Sequence, residues 1–466
     1  MKRILFNCSQ KSRISSYLKK GFSFLLILIF FISVTSGHCI TATAAETSNL
    51  SWPEAPSIVS DSAILIDADT GGILYQKNPH DKYYPASTTK ILTGLLTIEN
   101  CSLNETVTFS SEAANSITWE DANLGTKAGE QYTVDQALHA LLLYSANEVA
   151  YGLAEHVGGN LSNFVDMMNK RAKELGAIDS HFNNASGLYD PDHYTTAYDM
   201  AMIARGCYNN SIFVSIDSTA DSYTIPPTNM TSQPRTFKHR HKMLEGREYY
   251  YEYCKGGKTG YTDQSGSTLV TFAEKDGMRL ICVCFKSTDD DRFKDTRSLF
   301  DWGFTNFKKI TASSDTISSL FNSTNYYNSA VFSKYDLSFK LSATPLTIPN
   351  SASTSASHLT ADNNYTKTTD NGSYSTGINF MYGDNTVGAT TLILSKPDAW
   401  DGNSNLPYIT NNTQNNTLKS KFCISVNLWV LLVIIILIIV VFYILKIRHE
   451  NDNRLYKRRR RFHKVR

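Results

Sequence analysis

The chain has 466 residues, of which 42% are hydrophobic and 19% charged, and its formal net charge is +2. This length predicts two or three domains, and the composition excludes a globally disordered, a collagen-like or a small disulfide-scaffold protein. Residues 1–20 carry six basic side chains and no acidic one, and residues 446–466 carry ten basic and two acidic ones. The middle of the chain is therefore net negative, which argues against nucleic acid as a partner.

The first 44 residues have the order of a secretory signal peptide. A basic start precedes an apolar run over residues 21–32, and small residues follow up to an A-x-A pattern at residues 42–44. We predict a signal peptide over residues 1–44. An uncleaved anchor helix is the alternative.

The next segments predict a β-hairpin and then a mainly helical region. Apolar residues over 63–67 and 73–75 flank a glycine-containing turn, which is typical of a hairpin. Helical spacing of apolar residues dominates residues 87–205, and residues 134–143 are apolar on a broad face. We expect residues 134–143 to form a core helix.

A first motif, S-x-x-K, lies where an apolar helix begins at Ser87-Thr88-Thr89-Lys90. Residues three apart share a helix face, so Lys90 Nζ can reach Ser87 Oγ. A serine hydroxyl is a weak nucleophile without a base, and a desolvated lysine can act as one. We predict Ser87 as a nucleophile with Lys90 as its base. A solvated surface pair is the alternative, which the apolar flanks disfavour because an unpaired buried lysine is costly.

A second motif, S-x-N, follows the core helix at Ser145-Ala146-Asn147, where that helix must break. The Ser145 hydroxyl suits a proton relay, and the Asn147 amide suits a substrate carbonyl. An ordinary helix cap is the alternative, because Ser and Asn are both common at caps.

A third motif, Lys258-Thr259-Gly260, opens a region of strand patterns and follows two glycines. A strand edge can pair with an extended peptide, and glycines let another backbone come close. Lys258 and Thr259 are candidates for holding an anionic group, with an ordinary turn as the alternative. Strands over 267–272 and 279–285, joined by a turn at 275–277, and a helix over 292–304 complete this part.

Together these elements predict an α+β domain over residues 55–305, in which an antiparallel sheet packs with a helical cluster. Short strand patterns over 310–400 predict a small all-β domain, and residues 401–421 form a polar linker.

Residues 424–445 contain no charge over 22 positions, a length sufficient for a transmembrane helix. The basic tail 446–466 then predicts a single-pass cell-membrane protein with the catalytic domain outside and the C-terminus in the cytoplasm.

Cysteine and histidine spacing predicts neither structural disulfides nor a metal. The eight cysteines have no framework spacing, and Cys282 and Cys284 lie on one face of an apolar strand as buried thiols. The eleven histidines show no metal-ligand spacing. We predict no metal and no cofactor.

The three motifs in this order resemble those of the penicillin-binding proteins and serine β-lactamases. The surrounding residues are similar to those of the low-molecular-weight D-alanyl-D-alanine carboxypeptidases. Ala146 and Glu148 depart mildly from that family, where Gly and Asp are commoner. A segment over 380–388 resembles the β-rich domain that follows in such enzymes, and the Ser/Thr/Asn-rich stretch 345–375 departs from it. The segments that carry the main likeness are residues 84–90, 142–148, 181–188, 193–199 and 257–262.

The resemblance implies a serine-type D-Ala-D-Ala carboxypeptidase that removes the terminal D-alanine from peptidoglycan pentapeptide stems and is acylated by β-lactam antibiotics. Ser87 attacks the carbonyl with help from Lys90, and Ser145 relays a proton to the leaving amine. The backbone N–H groups of Ser87 and Tyr261 form the oxyanion hole.

The same resemblance implies the residues that bind the substrate. Lys258 keeps the proton-transfer network polarised, and Asn147 orients the acyl chain. Thr259 and Arg292 bind the free carboxylate of the substrate.

Two alternatives remain. A serine β-lactamase needs a second base for fast deacylation, such as an E-x-x-x-N loop between the second and third motifs, and no convincing one is present. A catalytically silent, membrane-anchored wall-binding scaffold is disfavoured because all three motifs are intact.

Overall fold

The computed structural model describes residues 52–116, 122–313, 339–340, 344–352, 357–368 and 374–394, together with Tyr443 and Lys446. The chain divides into two compact units, Met1–Asp398 and Ala399–Arg466. The predicted signal peptide and linker lie outside the described residues, as do the predicted transmembrane helix apart from Tyr443 and the tail apart from Lys446. In the part of the chain that the structure describes, every helix is too short or too polar to cross a bilayer.

The first unit contains strands and helices in a mixed order. Its described strands are β1 (Ser62–Asp67), β2 (Ile73–Lys77), β3 (Thr106–Thr108), β4 (Gln131–Thr133), β5 (Tyr223–Ile225), β6 (Arg235–Phe237), β7 (Cys254–Thr262), β8 (Gly266–Lys275), β9 (Met278–Ser287), β10 (Phe307–Ala312), β11 (Phe339–Lys340), β12 (Thr344–Pro349), β13 (Ser357–Thr368), β14 (Tyr374–Tyr382) and β15 (Asn385–Leu394). Its described α-helices are α1 (Lys90–Asn100), α2 (Ser111–Ala114), α3 (Val134–His139), α4 (Asn147–Gly158), α5 (Leu161–Glu174), α6 (Ala197–Tyr208), α7 (Ser211–Asp217) and α8 (Asp291–Asn306).

A five-stranded antiparallel sheet in the order β2-β1-β9-β8-β7 separates two hydrophobic cores. Along β1, Ile64 and Ile66 pack in the core of the helical cluster, whereas Ala63 and Leu65 pack in the core that contains residues of α8. Alternate side chains of a strand point to opposite faces, so a strand covered on both faces is apolar along its whole length. The predicted α+β arrangement of sheet and helical cluster is confirmed.

Two details of this domain differ from the sequence analysis. The short strands β3 and β4 pair with each other inside the region that was predicted to be mainly helical. Strand β7 begins at Cys254, before the K-T-G motif, and its pairing with β8 shifts between Cys254 and Gly256. Gly256 and Gly257 therefore lie within β7, and the irregularity in its pairing falls beside Gly256.

A set of β-strands follows α8, as predicted for the small all-β domain. Strand β10 pairs with β12, and a second sheet has the order β11-β15-β14-β13. The hydroxyl of Thr347 in β12 donates a hydrogen bond of 2.8 Å to Asp67 Oδ2, at the end of β1. Both side chains are buried, so this bond ties the two parts of the unit together where water is excluded.

Candidate active site

Ser87 lies in a short 3₁₀ turn, Ala86–Thr89, that leads directly into α1. Ala86 has a φ of +50°, in the left-handed region that non-glycine residues seldom adopt. The Pro85 carbonyl accepts hydrogen bonds from the hydroxyls of Thr88, at 2.7 Å, and Thr268, at 3.0 Å. These bonds anchor the turn to β8 and leave Ser87 half-buried just ahead of the helix rather than within its first turn.

The side chain of Lys90 is fully buried and connects three separate segments. Its Nζ donates to Ser87 Oγ at 2.9 Å, to Asn147 Oδ1 at 2.6 Å and to the Ser186 carbonyl at 2.6 Å. The structure thus brings the S-x-x-K and S-x-N motifs into direct contact. It also adds the Ser186 carbonyl, whose role residue types alone did not indicate.

The helix before the second motif breaks where the sequence predicted. After α3 the chain continues as a π-helical turn, Ala140–Tyr144, and Ser145 then adopts a φ of +72°. The break redirects the chain so that Asn147 begins α4 with its side chain on Lys90. A π-helical segment beside a site is a common functional feature.

Glu148, a mild departure from the family pattern, has a structural role. Its Oε1 accepts hydrogen bonds from the Leu124 N–H at 2.7 Å and the Thr126 hydroxyl at 3.0 Å. The Asn147 N–H donates to the Ala122 carbonyl at 2.8 Å in the same loop. The loop over residues 122–126 is therefore fastened to the start of α4.

The third motif runs along β7, with Lys258 almost completely buried. Its Nζ donates to the Thr259 carbonyl at 2.9 Å. Burial lowers the pKa of Lys258 to about 7, and the positive charges of Arg240 and Arg292 act in the same direction while Asp217 opposes them. Lys258 therefore titrates near neutral pH, which suits a group that takes part in proton transfer.

Gly260 is the point at which this strand contacts the turn that holds Ser87. A Cβ at that position would lie 2.9 Å from Ser87 N and 2.4 Å from Thr268 Oγ1, so only glycine fits without displacement. The next residue, Tyr261, has an exposed side chain whose hydroxyl donates to Asp263 Oδ1 at 3.2 Å. The side chain of Tyr261 thus points away from the core.

Arg292 lies at the start of α8 and braces β7 and β8. Its Nη1 donates to the carbonyls of Gly260 at 2.9 Å and Thr268 at 3.1 Å, and its Nη2 bonds Asp289 Oδ1. These bonds run to the protein backbone and to an acid of the same segment. The predicted role of Arg292 toward a substrate carboxylate stays a prediction, and the contacts observed are those of a strand brace.

Residues 181–188 and 193–199, which the resemblance included without assigning roles, support the turn that holds Ser87 from the other side. His193 Nδ1 accepts a hydrogen bond from the Asn183 N–H at 3.0 Å, so in the neutral ring Nε2 carries the proton toward Thr89 Oγ1 at 2.9 Å. Burial lowers the pKa of His193 to about 3, which keeps the ring neutral. Only the fold shows that these residues are part of the site.

Comparison with known proteins gives one consistent result. The chain matches the family model for D-alanyl-D-alanine carboxypeptidase over residues 49–289. It is 30% identical over 297 residues to D-alanyl-D-alanine carboxypeptidase DacF of Bacillus subtilis, and this match covers 62% of this chain and 72% of that protein.

Two solved structures are similar to this chain. The D-alanyl-D-alanine carboxypeptidase of Mycobacterium tuberculosis H37Rv is 30% identical, with a TM-score of 0.50, and the match covers 54% of this chain and 94% of that one. Penicillin binding protein 5 from Haemophilus influenzae is 23% identical, with a TM-score of 0.56 over 73% of this chain and 98% of that one. The latter shows a shared fold over more than the catalytic region.

The fold and the site define a serine peptidase of the penicillin-binding class. The family match and the relative from Bacillus subtilis are more specific: the chain belongs to the D-alanyl-D-alanine carboxypeptidase family. It is a serine-type D-Ala-D-Ala carboxypeptidase, as the resemblance predicted, and the family match favours this activity over that of a serine β-lactamase.

Gly187 generates a prediction about the geometry of the turn. It has a φ of +84°, and a Cβ there would lie 1.8 Å from the Ala86 carbonyl oxygen. We expect Gly187→Ala to displace the turn that holds Ser87 and to lower the rate of acylation by penicillin at least tenfold. Stopped-flow or gel measurement of acylation with fluorescent penicillin checks this.

The matched control is Gly159→Ala. Gly159 has a similar φ of +74° but nothing within 4 Å of an added Cβ. The Gly159→Ala variant should be destabilised by only about 1 kcal/mol in its free energy of unfolding, the cost of a positive φ at alanine, and it should be acylated at the normal rate. Equal acylation by the two variants would contradict the close-approach argument.

Proposed function

We propose that this protein removes the terminal D-alanine from peptidoglycan pentapeptide stems through an acyl-enzyme on Ser87. The observation that carries the proposal is the 2.9 Å contact of the buried Lys90 Nζ with Ser87 Oγ, in a site that Asn147 and Gly260 complete. The names of the relatives support the substrate class. A hydrogen bond between the proposed nucleophile and its base argues against the alternative of a catalytically silent scaffold.

Acylation follows from these contacts. In its neutral form Lys90 Nζ keeps two N–H donors, for Asn147 Oδ1 and the Ser186 carbonyl, and its lone pair takes the proton of Ser87 Oγ. The Ser87 oxygen attacks the carbonyl carbon of the penultimate D-alanine. The negative charge on the carbonyl oxygen is stabilised by the N–H groups of Ser87 and Tyr261, on the two segments that Gly260 lets approach. The proton that Lys90 took is relayed through the Ser145 hydroxyl to the leaving D-alanine amine, and water then hydrolyses the ester on Ser87. A β-lactam carbonyl reacts with the same hydroxyl, which makes these antibiotics acylating inhibitors.

Substrate binding uses the other polar groups of the site. Asn147 orients the acyl chain by its amide while its Oδ1 accepts from Lys90. Thr259 offers its hydroxyl to the terminal carboxylate. The buried guanidinium of Arg292 favours an anion at this strand, because the low local dielectric strengthens its field. Lys258, whose pKa is lowered to about 7, adds a positive charge only in its protonated form.

The assignment of the nucleophile is tested by Ser87→Ala. This variant should lose all labelling by fluorescent penicillin and all release of D-alanine, because the attacking oxygen is gone. The control is Ser102→Ala, which changes an exposed serine in a second S-x-N match, Ser102-Leu103-Asn104. Full-strength labelling of a folded Ser87→Ala protein would refute the assignment.

The role of Arg292 is tested by comparing Arg292→Ala with Arg292→Gln, which loses the charge but keeps donors for the Gly260 carbonyl. If the charge serves the substrate, both variants should lose turnover of a peptide with a free terminal carboxylate. They should lose far less turnover of an ester-capped analogue, because the anion is the partner. Measured kcat/KM for the two peptides decides, and equal losses on both would assign Arg292 to bracing alone.

We further propose that the protein is held in the cell membrane by a helix over residues 424–445, after export directed by residues 1–44. The support is the uncharged run and the basic tail that follows it. In this arrangement the catalytic domain lies outside the cell, within reach of new wall, and the C-terminus lies in the cytoplasm.

Extraction distinguishes a spanning helix from a surface-bound one. The protein should stay in the membrane fraction after carbonate and high-salt washing, since a spanning helix is released only by detergent. Protease added to intact cells should leave a tag on the 446–466 tail uncut. Release by carbonate, or loss of the tag, would exclude this topology.

A further inference from the structure

A cluster of three side chains of different chemistry lies at the ends of α1 and α4 that are remote from Ser87. Cys101 caps the C-terminal end of α1, Glu105 follows in the loop before β3, and His156 lies in the last turn of α4. One ligand atom of each, a thiol sulfur, a carboxylate oxygen and an imidazole nitrogen, lies within 4.8 Å of the other two. The catalytic reaction uses none of these groups.

We propose that Cys101, Glu105 and His156 bind a zinc ion. Thiolate, imidazole and carboxylate are the usual ligands of zinc, which favours four-coordinate sites with protein or water ligands. At zinc bond lengths of about 2.0–2.3 Å, tetrahedral ligand atoms are about 3.3–3.8 Å apart. Glu105 Oε2 and His156 Nε2 already lie 3.3 Å apart. Small side-chain movements bring the sulfur to the same spacing, and water takes the fourth position.

A backbone hydrogen bond holds the Glu105 carboxylate beside His156. The Ser102 N–H donates to Glu105 Oε1 at 2.6 Å, which directs Oε2 toward His156. The same backbone bond lowers the pKa of Glu105, so the group is ionised well below neutral pH. Hydrogen bonds from the protein to a ligating side chain commonly fix the orientation of metal ligands.

The thiol couples binding to proton release. Burial raises the pKa of Cys101, and the negative charge of Glu105 acts in the same direction, so the metal-free thiol is protonated. Binding replaces that proton by the metal: the sulfur–zinc bond forms as the S–H bond breaks, and one proton leaves to solvent. His156 binds through the lone pair of its ring nitrogen Nε2.

The position of the cluster indicates a structural effect. Helices α1 and α4 start with Lys90 and Asn147, which are hydrogen-bonded to each other. A zinc ion at Cys101 and His156 would join the opposite ends of the same two helices. We therefore expect zinc to stabilise the fold and to leave the chemistry at Ser87 unchanged.

The test uses the full-length protein, stripped with a chelator and titrated with Co²⁺ as a spectroscopic substitute for zinc. We expect one Co²⁺ per chain and an intense thiolate-to-cobalt charge-transfer band that Zn²⁺ removes. At a hundredfold excess over its Kd, Zn²⁺ should raise Tm by about 5 °C.

The variants identify the ligands. Cys101→Ser should lose the charge-transfer band and the Tm shift, whereas Cys254→Ser, which changes another half-buried thiol, should keep both. Glu105→Gln and His156→Gln should weaken Co²⁺ binding at least tenfold, and they keep the thiol if Cys101→Ser does not fold. Penicillin labelling confirms that each variant is folded. Absence of the band in the wild-type protein, or a band of full strength in Cys101→Ser, would overturn the proposal.

Discussion

The hydrogen bonds of one buried amine, Lys90 Nζ, are the constraint on which the site depends. They connect the helix that follows Ser87, the turn at Asn147 and the carbonyl of Ser186, three segments that are distant in sequence. A buried lysine without such partners would be costly, so its desolvation is offset only when all three segments are in place. The positions of Ser87, Lys90 and the side-chain amide of Asn147 are thereby coupled to each other and to the folding of the helical cluster.

The turn that presents Ser87 is confined by close backbone contacts on two sides. Gly187 lies against the Ala86 carbonyl, and Gly260 lies against Ser87 N. No other residue type fits either place without displacement. The positive φ of Ala86 is a strained conformation that such surroundings impose, and it projects the serine between a helix start and a strand edge. Rigid placement of this kind favours a reaction whose geometry must be set before the substrate arrives.

The charged side chains of Arg292, Arg240 and Asp217 affect strand β7 and the protonation of Lys258. Arg292 bonds the carbonyls of two strand residues. Burial is the main cause that favours the neutral form of Lys258, Arg240 and Arg292 act in the same direction, and Asp217 favours the charged form. The backbone contacts of Arg292 and its effect on Lys258 arise from the same buried guanidinium. Arg292 therefore affects both the positions of β7 and β8 and the protonation of Lys258.

The sequence by itself determined the order of the motifs and the resemblance to the family. It also predicted the first hairpin and the main helical region, because apolar periodicity and turn residues are local properties. It predicted Ser87 and Lys90 as a pair since three residues of helix bring them together. Only the tertiary structure decided that Asn147 and Ser186 bind Lys90, that His193 supports the turn, and that Arg292 braces two strands. It also brought His156 to Cys101 and Glu105, where histidine spacing had predicted no metal. These contacts join segments far apart in the chain, and their partners are set by how the sheet and helices pack, which no local pattern encodes.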